Sequence, residues 1–249
     1  MRTVSAPSEL IVRNQHAPLI EKVEAMSMLT NLDLIRRVPL FALMTAEQAL
    51  LLSDAVEKRR FKRGELMVEQ GKKSNALFII LAGRARVLMT DRKSREVILA
   101  SLHPGDYLGE MSLIDHQPHS ASVEAEVQTD ALVLGRQAFT HCLADNSAMA
   151  LAVMQGLVRR LRQADEKIGS LALMDVYGRV AKVLMNSAVS EGEQKLLICE
   201  KISRQDIAKM VGASREMVSR VMRDFEEQGF LETLEGGAIA LKERRSVPR

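Results

Sequence analysis

The chain has 249 residues, enough for two domains, and its 47% apolar content with no Trp means that its cores are built mainly from Leu, Val, Ile, Ala and 14 Met. A net charge of +3 is too small to mark a nucleic-acid binder, so that question rests on where the charge sits. Two distant cysteines, Cys142 and Cys199, no signal-peptide core and no run approaching the ~20 apolar residues of a membrane span exclude a disulfide framework and point to the cytoplasm, with no membrane partner.

Residues 1–28 are polar and mixed, carry Pro7 and Pro18, and read as a poorly ordered extension with a helical turn near Leu19 to Met28. A first domain is expected over 29–145. Thr45 and Gln48 have capping-box spacing and open a helix through Leu50, Leu51 and Ala55. From Arg59 to Ala138, short apolar runs (Leu77 to Leu81, Val97 to Ala100, Ala131 to Leu134) alternate with turn signals such as Gly64, Gly71, Gly83 and Pro104-Gly105. That spacing predicts an antiparallel barrel or double-sheet roll.

Phe139 to Met174 reads as helical. Ala150, Met154, Leu157, Leu161, Ala164, Ile168 and Leu171 are spaced alternately by four and three, a heptad seam. The small domain before it has nothing to cover such a seam, so residues 146–174 are expected to pair with a second copy; a helix packed on its own barrel is the alternative. Gly169, costing ~1 kcal/mol of helix propensity, and Gly178 place a hinge there.

Residues 175–249 carry the clearest motif. Ser203 caps a helix whose apolar residues are Ile207, Ala208 and Val211, and Gly212 supplies a sharp turn. Ser214 caps a second helix, with Met217, Val218, Val221, Met222 and Phe225 on one face and Arg215, Glu216, Ser219, Arg220 and Arg223 on the other. A helix with one buried face and one face able to bond base edges suits the major groove. Two apolar runs around Glu235-Gly236-Gly237 predict a hairpin, making a winged helix-turn-helix. An ordinary helical hairpin is the plainer alternative.

Roll, long helix and winged reader, in this order, resemble the catabolite activator / fumarate-nitrate regulator (Crp/Fnr) family of bacterial transcription factors. Gly105 to Leu113 with His119-Ser120-Ala121 is similar to its phosphate-binding cassette, Asp165 to Arg179 to its dimer-helix end and hinge, and Gly212 to Arg220 to its recognition helix. The resemblance covers about residues 30 to 242. It implies an α+β fold: a cyclic-nucleotide-binding-type β-roll, a dimerisation helix and a winged helix-turn-helix. It also implies a homodimer that binds double-stranded DNA and works with RNA polymerase.

The effector set it implies is Gly109, Glu110, Met111, Ser112, His119, Ser120, Ala121, Arg160, Ala164 and Asp165. In cyclic AMP-binding relatives a Glu takes the ribose hydroxyl, an Arg and a Ser hold the phosphate, and two polar residues of the dimer helix reach the adenine. Here Gly109, Glu110 and Ser120 match, but His119 replaces the Arg, and Ala164 and Asp165 stand at the adenine positions. A single imidazole cannot replace a bidentate guanidinium. Asp165 accepts only, which suits the paired donors on guanine's Watson–Crick edge. Cyclic GMP and cyclic di-GMP therefore rival cyclic AMP as the small-molecule effector, and a vestigial pocket remains an alternative.

The implied DNA contacts are Ser203, Arg204, Gln205, Ser214, Arg215, Glu216, Ser219, Arg220 and Arg223. Among them Arg215, Glu216 and Arg220 match relatives reading TGTGA, and Glu216, Ser219 and Arg220 match relatives reading TTGAT, so inverted-repeat half-sites with a TGA core are expected. The dimer set is Met154, Leu157, Leu161, Ala164, Ile168 and Leu171. No Cys precedes Cys142, which excludes the family's N-terminal iron–sulfur cluster. His116 and His119 have no evident third ligand, so no metal is expected; a haem sensor stays open. A cyclic-nucleotide regulatory subunit would have no use for the reader, and no catalytic motif is present.

Overall fold

The computed structural model describes residues 30–191, 195–198, 202–234 and 238–242. The helical turn expected near residues 19–28, Cys199 and the turn at Glu235 to Gly237 lie outside the described residues.

The described chain opens with α1 (Asn31–Arg37) and α2 (Ala46–Ala55). Both carry closed capping boxes, Thr30 with Asp33 and Thr45 with Gln48. Eight strands follow: β1 (Val56–Phe61), β2 (Leu66–Val68), β3 (Ala76–Ala82), β4 (Ala85–Thr90), β5 (Glu96–Leu102), β6 (Tyr107–Leu108), β7 (Ser122–Ala125) and β8 (Thr129–Gly135). They form two antiparallel sheets, in the orders β1-β8-β3-β6 and β2-β7-β4-β5. This is the expected double-sheet roll.

Successive residues of β3 serve two cores, because side chains alternate across a strand. Phe78 and Ile80 pack between the sheets with Phe61, Leu102, Leu108 and Val123. Leu77 and Ile79 face the helices, with Leu34, Ile35, Phe139, Met149 and Val153.

The short helix α3 (Glu110–Asp115) interrupts the strands. After β8 come α4 (Arg136–Asp145) and α5 (Ser147–Leu173). The single helix expected from Phe139 is therefore two. Asn146 breaks it: its backbone is extended, and its side chain accepts from Met149 N at 2.9 Å, capping α5.

Gly169 does not break α5. Its cost of ~1 kcal/mol is small beside the contacts and backbone bonds of a 27-residue helix. The break comes at Met174, where Asp175 caps α6 (Val176–Ser187) by accepting from Gly178 N at 2.8 Å. Gly178 lies inside α6.

The last domain packs α6 against the helix pair α7 (Arg204–Val211) and α8 (Arg215–Glu227). Its sheet has the order β11-β12-β10-β9, from β9 (Val189–Glu191), β10 (Lys195–Ile198), β11 (Leu231–Thr233) and β12 (Ile239–Leu241). The wing hairpin β11–β12 was expected. The pair β9–β10 was missed, because three- and four-residue strands carry too little periodicity to read. No described helix is long and apolar enough to cross a membrane.

Candidate effector and DNA-reading sites

The cassette is built around α3. Gly109 caps it with φ 92°, and a Cβ there would stand 2.6 Å from the Ala76 carbonyl, so only glycine fits. The next residue, Glu110, is 1% exposed. Its Oε1 accepts from Arg160 Nη1 of α5, while Arg160 Nη2 donates to the Tyr107 carbonyl. The guanidinium also lies 5.1 Å over the Tyr107 ring. Among the described residues, Glu110 Oε2 has no hydrogen-bond partner. Burial pushes the Glu110 carboxyl above its ordinary value, and Arg160 opposes that shift.

Two residues absent from the expected set lock this contact. Tyr107 donates its hydroxyl to the Val153 carbonyl at 3.2 Å. Gly156, buried in α5, admits the tyrosine, since any Cβ there would overlap the hydroxyl. A glycine inside a strong helical pattern was the signal that a neighbour approaches closely.

Arg136 fixes the other end of α3. It donates to the carbonyls of Leu113 (2.9 Å) and Ser112 (3.2 Å) and to Asn75 Oδ1 (3.2 Å), with His116 Nδ1 at 2.7 Å. It thereby satisfies carbonyls left open at a helix end. No sequence signal marks it. Ser112 is a loop-closing group, donating to the Gln117 carbonyl at 2.7 Å, and Asp115 structures the same loop by accepting from Gln117 N.

His119 follows the α3 loop and is half-buried. Its backbone pairs with Gly71 and Lys72, and its Nε2 is 2.9 Å from Ser74 Oγ. Burial pulls the imidazole below its ordinary value of 6.5, favouring the neutral ring. Ser120 is exposed, Ala121 is buried and Met111 is half exposed. Ala164 and Asp165 are exposed on α5. In one chain Arg160 thus joins Glu110 of α3, His119 is held by Gly71, Lys72 and Ser74, and Ala164 and Asp165 are exposed on α5.

The apolar stripe of α5 has one edge on the roll and one edge exposed. Met149, Val153 and Gly156 are buried on the roll, and Leu157 packs against the same core. Leu151, Met154, Val158, Leu161 and Ile168 are all at least half exposed. With Asp165 they follow a three–four spacing. Leu151 and Val158 therefore take the places expected for Ala150 and Leu157, because the roll claims one edge of the stripe.

In the reader, Ser203 and Ser214 cap their helices as expected, accepting from Asp206 N and Met217 N at 3.0 and 3.2 Å. Ile207, Ala208, Val211, Val218, Val221 and Met222 are buried. Arg204, Gln205, Arg215, Glu216, Arg220 and Arg223 are exposed, and Ser219 is half-buried. This polar face of α8 is open to solvent in the single chain.

Residues 58–146 match the cyclic nucleotide-binding domain family, and residues 178–246 match the Crp-like helix-turn-helix domain. The cAMP-activated global transcriptional regulator CRP of Salmonella typhimurium is 33% identical over 173 residues, covering 66% of this chain and 80% of that protein. This chain belongs to the Crp/Fnr family of transcription regulators. The CRP-like cAMP-activated global transcriptional regulator of Mycobacterium tuberculosis is 28% identical over 220 residues, covering 87% of this chain and 98% of that one. The c-di-GMP responsive global regulator CLP of Xanthomonas campestris shares the fold, with a TM-score of 0.70 at 21% identity over 80% of this chain and 100% of that one. The Crp/Fnr member described here is thus a DNA-binding regulator and not an enzyme.

Proposed function

We propose that this Crp/Fnr regulator acts as a homodimer on inverted-repeat DNA with TGA-containing half-sites, contacts RNA polymerase, and is modulated by a cyclic nucleotide bound in the roll beside α5. The observation that carries this reading is the Glu110–Arg160 contact. It ties the ribose-binding position of the cassette to the helix that bears the exposed apolar stripe, so occupancy of the roll and geometry of the dimer share one ion pair. The first domain would span 29–145, the dimer helix 146–174 and the reader 175–249.

The two recognition helices of a dimer would enter major grooves ~34 Å apart. Arg220 is exposed on the reading face of α8. An Arg bonded to guanine O6 and N7 carries base discrimination, so Arg220→Ala should lose ~1–3 kcal/mol at the specific site and relax preference there. Competition binding against single-base operator variants measures this. Equal weakening on specific and random DNA would assign Arg220 to phosphate.

A guanine-containing cyclic nucleotide, cyclic di-GMP or cyclic GMP, suits this pocket better than cyclic AMP. His119, held near Ser74 and favouring its neutral form, is a weak anion clamp. Asp165 continues the exposed stripe of α5 and would meet the base near the two-fold axis, receiving guanine's ring and exocyclic N–H groups. Calorimetric titration of cyclic AMP, cyclic GMP and cyclic di-GMP against wild type, His119→Arg and Asp165→Ala tests this. His119→Arg should tighten any phosphate ligand by ~1.5–3 kcal/mol, or ~10- to 150-fold. Asp165→Ala should weaken the guanine ligands selectively. Binding by the wild type should strengthen as pH falls through the lowered His119 titration, because the anion favours the protonated ring. Micromolar cyclic AMP binding together with an indifferent Asp165→Ala would sink the guanine reading. No binding of any of the three would favour a vestigial pocket.

A further inference from the structure

The reader domain is docked on the roll of its own chain, and the contact is charged. β5 is an edge strand, hydrogen-bonded only to β4 in its sheet. The β4–β5 register slips between Val87 and Leu88: Val87 faces Ala100 and Leu88 faces Ile98, so Leu99 has no opposite residue. From α5, Lys167 Nζ donates to the Leu99 carbonyl and to that of Ile98 (3.2 Å). Across the same strand lies α7. Lys209 Nζ is 2.6 Å from Glu96 Oε2, and Arg86 Nη1 is 3.3 Å from Asp206 Oδ1. The other end of the Arg86 fork holds Glu124 at 2.8 Å.

The order of these charges sets a direction. Asp206 and Lys209 are three apart and share one face of α7. The roll presents the cation Arg86 to Asp206 and the anion Glu96 to Lys209. Docked the other way round, α7 would set Asp206 against Glu96 and Lys209 against Arg86. Like-charge juxtaposition suppresses such wrong arrangements. Asp206 is drawn into this role at the cost of its local one. Its carboxylate meets the Ser203 hydroxyl and Arg86, and the capping box of α7 does not close onto the Ser203 backbone. Arg179 ties the hinge from the other side, donating to the carbonyls of Val211 (3.0 Å) and Met174 (2.9 Å). With α7 held in this way, Arg215, Glu216, Arg220 and Arg223 of α8 remain exposed.

We propose that Arg86 and Glu96 are positioning residues for DNA binding: through Asp206 and Lys209 they hold the reader on the roll in one orientation, with the reading face outward. The proposal rests on α8 being the DNA reader. A dimer whose two readers are held at a fixed orientation meets two half-sites without first confining them. When only a fraction of the molecules is in the competent arrangement, apparent affinity falls by that fraction. The β4–β5 hairpin is part of the roll, so it also gives the sensor a direct mechanical path to the reader that does not pass along α5.

The test uses full-length protein and an inverted-repeat duplex with TGA half-sites, read by fluorescence anisotropy. The variants are Glu96→Lys, Lys209→Glu and the two combined. Each single change replaces an attractive pair by a repulsive one in both protomers, and should weaken operator binding about tenfold. The double variant restores opposite charges and should return to within about threefold of wild type. Simple attraction to DNA predicts the reverse for Glu96→Lys, which adds positive charge, and predicts no rescue of Lys209→Glu. Amide exchange without DNA, over β5 and α7, should rise in each single variant and fall back in the double. Unchanged or tighter operator binding in the single variants, an unrescued double variant, or unchanged exchange would each overturn the proposal. Failure of the reader assignment is separate: it would show as Arg220→Ala keeping full sequence preference.

Discussion

Replacing Val158 and Leu161 together by Asp should convert the protein to monomers and abolish operator binding. Both residues lie on the exposed stripe of α5, 50% and 63% accessible in the single chain. A two-fold partner would bury the exposed half of each, which contributes ~0.8–1.5 kcal/mol per side chain. Four are lost per dimer, ~3 kcal/mol or more, which exceeds a hundredfold in dimer affinity. The introduced carboxylates add like-charge repulsion in a desolvated seam. Sedimentation velocity at micromolar protein should show a single monomer boundary, with an unaltered circular-dichroism spectrum. Leu157→Ala is the contrasting change. Leu157 packs on the core of its own roll, so it should cost ~1–3 kcal/mol of fold stability and leave the dimer intact. If the double variant Val158→Asp/Leu161→Asp sediments as the wild-type dimer does, the interface lies elsewhere.

Removing Arg160 should be strongly destabilising at the cassette. Arg160→Ala leaves the Glu110 carboxylate, 1% exposed, with neither oxygen partnered by a side chain. Breaking a fully buried pair costs ~3–5 kcal/mol; Arg160 retains some solvent contact, so ~2–3 kcal/mol is expected here. The pH dependence follows from the direction of the Glu110 shift. Burial, opposed by Arg160, puts the folded carboxyl above its ordinary value of 4.5. The folded state therefore holds this proton to higher pH than the unfolded state does, and stability falls as pH rises from the unfolded value through the folded one. Without Arg160 the folded value rises further, so the deficit of Arg160→Ala should shrink on acidification within that window. Glu110→Gln removes the buried charge, and the double variant Glu110→Gln/Arg160→Ala should recover most of the loss. Thermal melts of the four proteins from pH 5 to 8 decide this. A deficit that is constant with pH and is not relieved by Glu110→Gln would mean that Arg160 acts by packing on Tyr107 alone.

Local rules sufficed where a feature is determined by neighbours in sequence. The caps at Thr45, Ser203 and Ser214, the left-handed Gly212 and the buried faces of α7 and α8 follow from helix-end chemistry and a 3.6-residue period. The double-sheet roll was legible because turn residues punctuate apolar runs at regular intervals. Gly109 and Glu110 could be singled out by their match to a family motif, and the structure puts them at the start of α3.

What remained hidden depends on partners far away in sequence. Arg136 gives no local sign that it will cap α3, some twenty residues earlier, because any exposed arginine looks alike in a string. The apolar stripe of α5 has two candidate edges, and only the docking of the roll decides that Leu157 turns inward and Val158 outward. The helix break in the expected stretch between Gly169 and Gly178 comes at Met174 and Asp175 and at neither glycine, since an aspartate able to cap a new helix outweighs a propensity cost of ~1 kcal/mol. The pairing of Arg86 with Asp206 and of Glu96 with Lys209 spans more than a hundred residues. The sequence by itself therefore determined the elements, their order and the chemistry each one carries. The tertiary structure decided which face of each element meets which other, because ion pairs and close contacts form wherever folding brings complementary groups together, and that juxtaposition leaves no period in the chain.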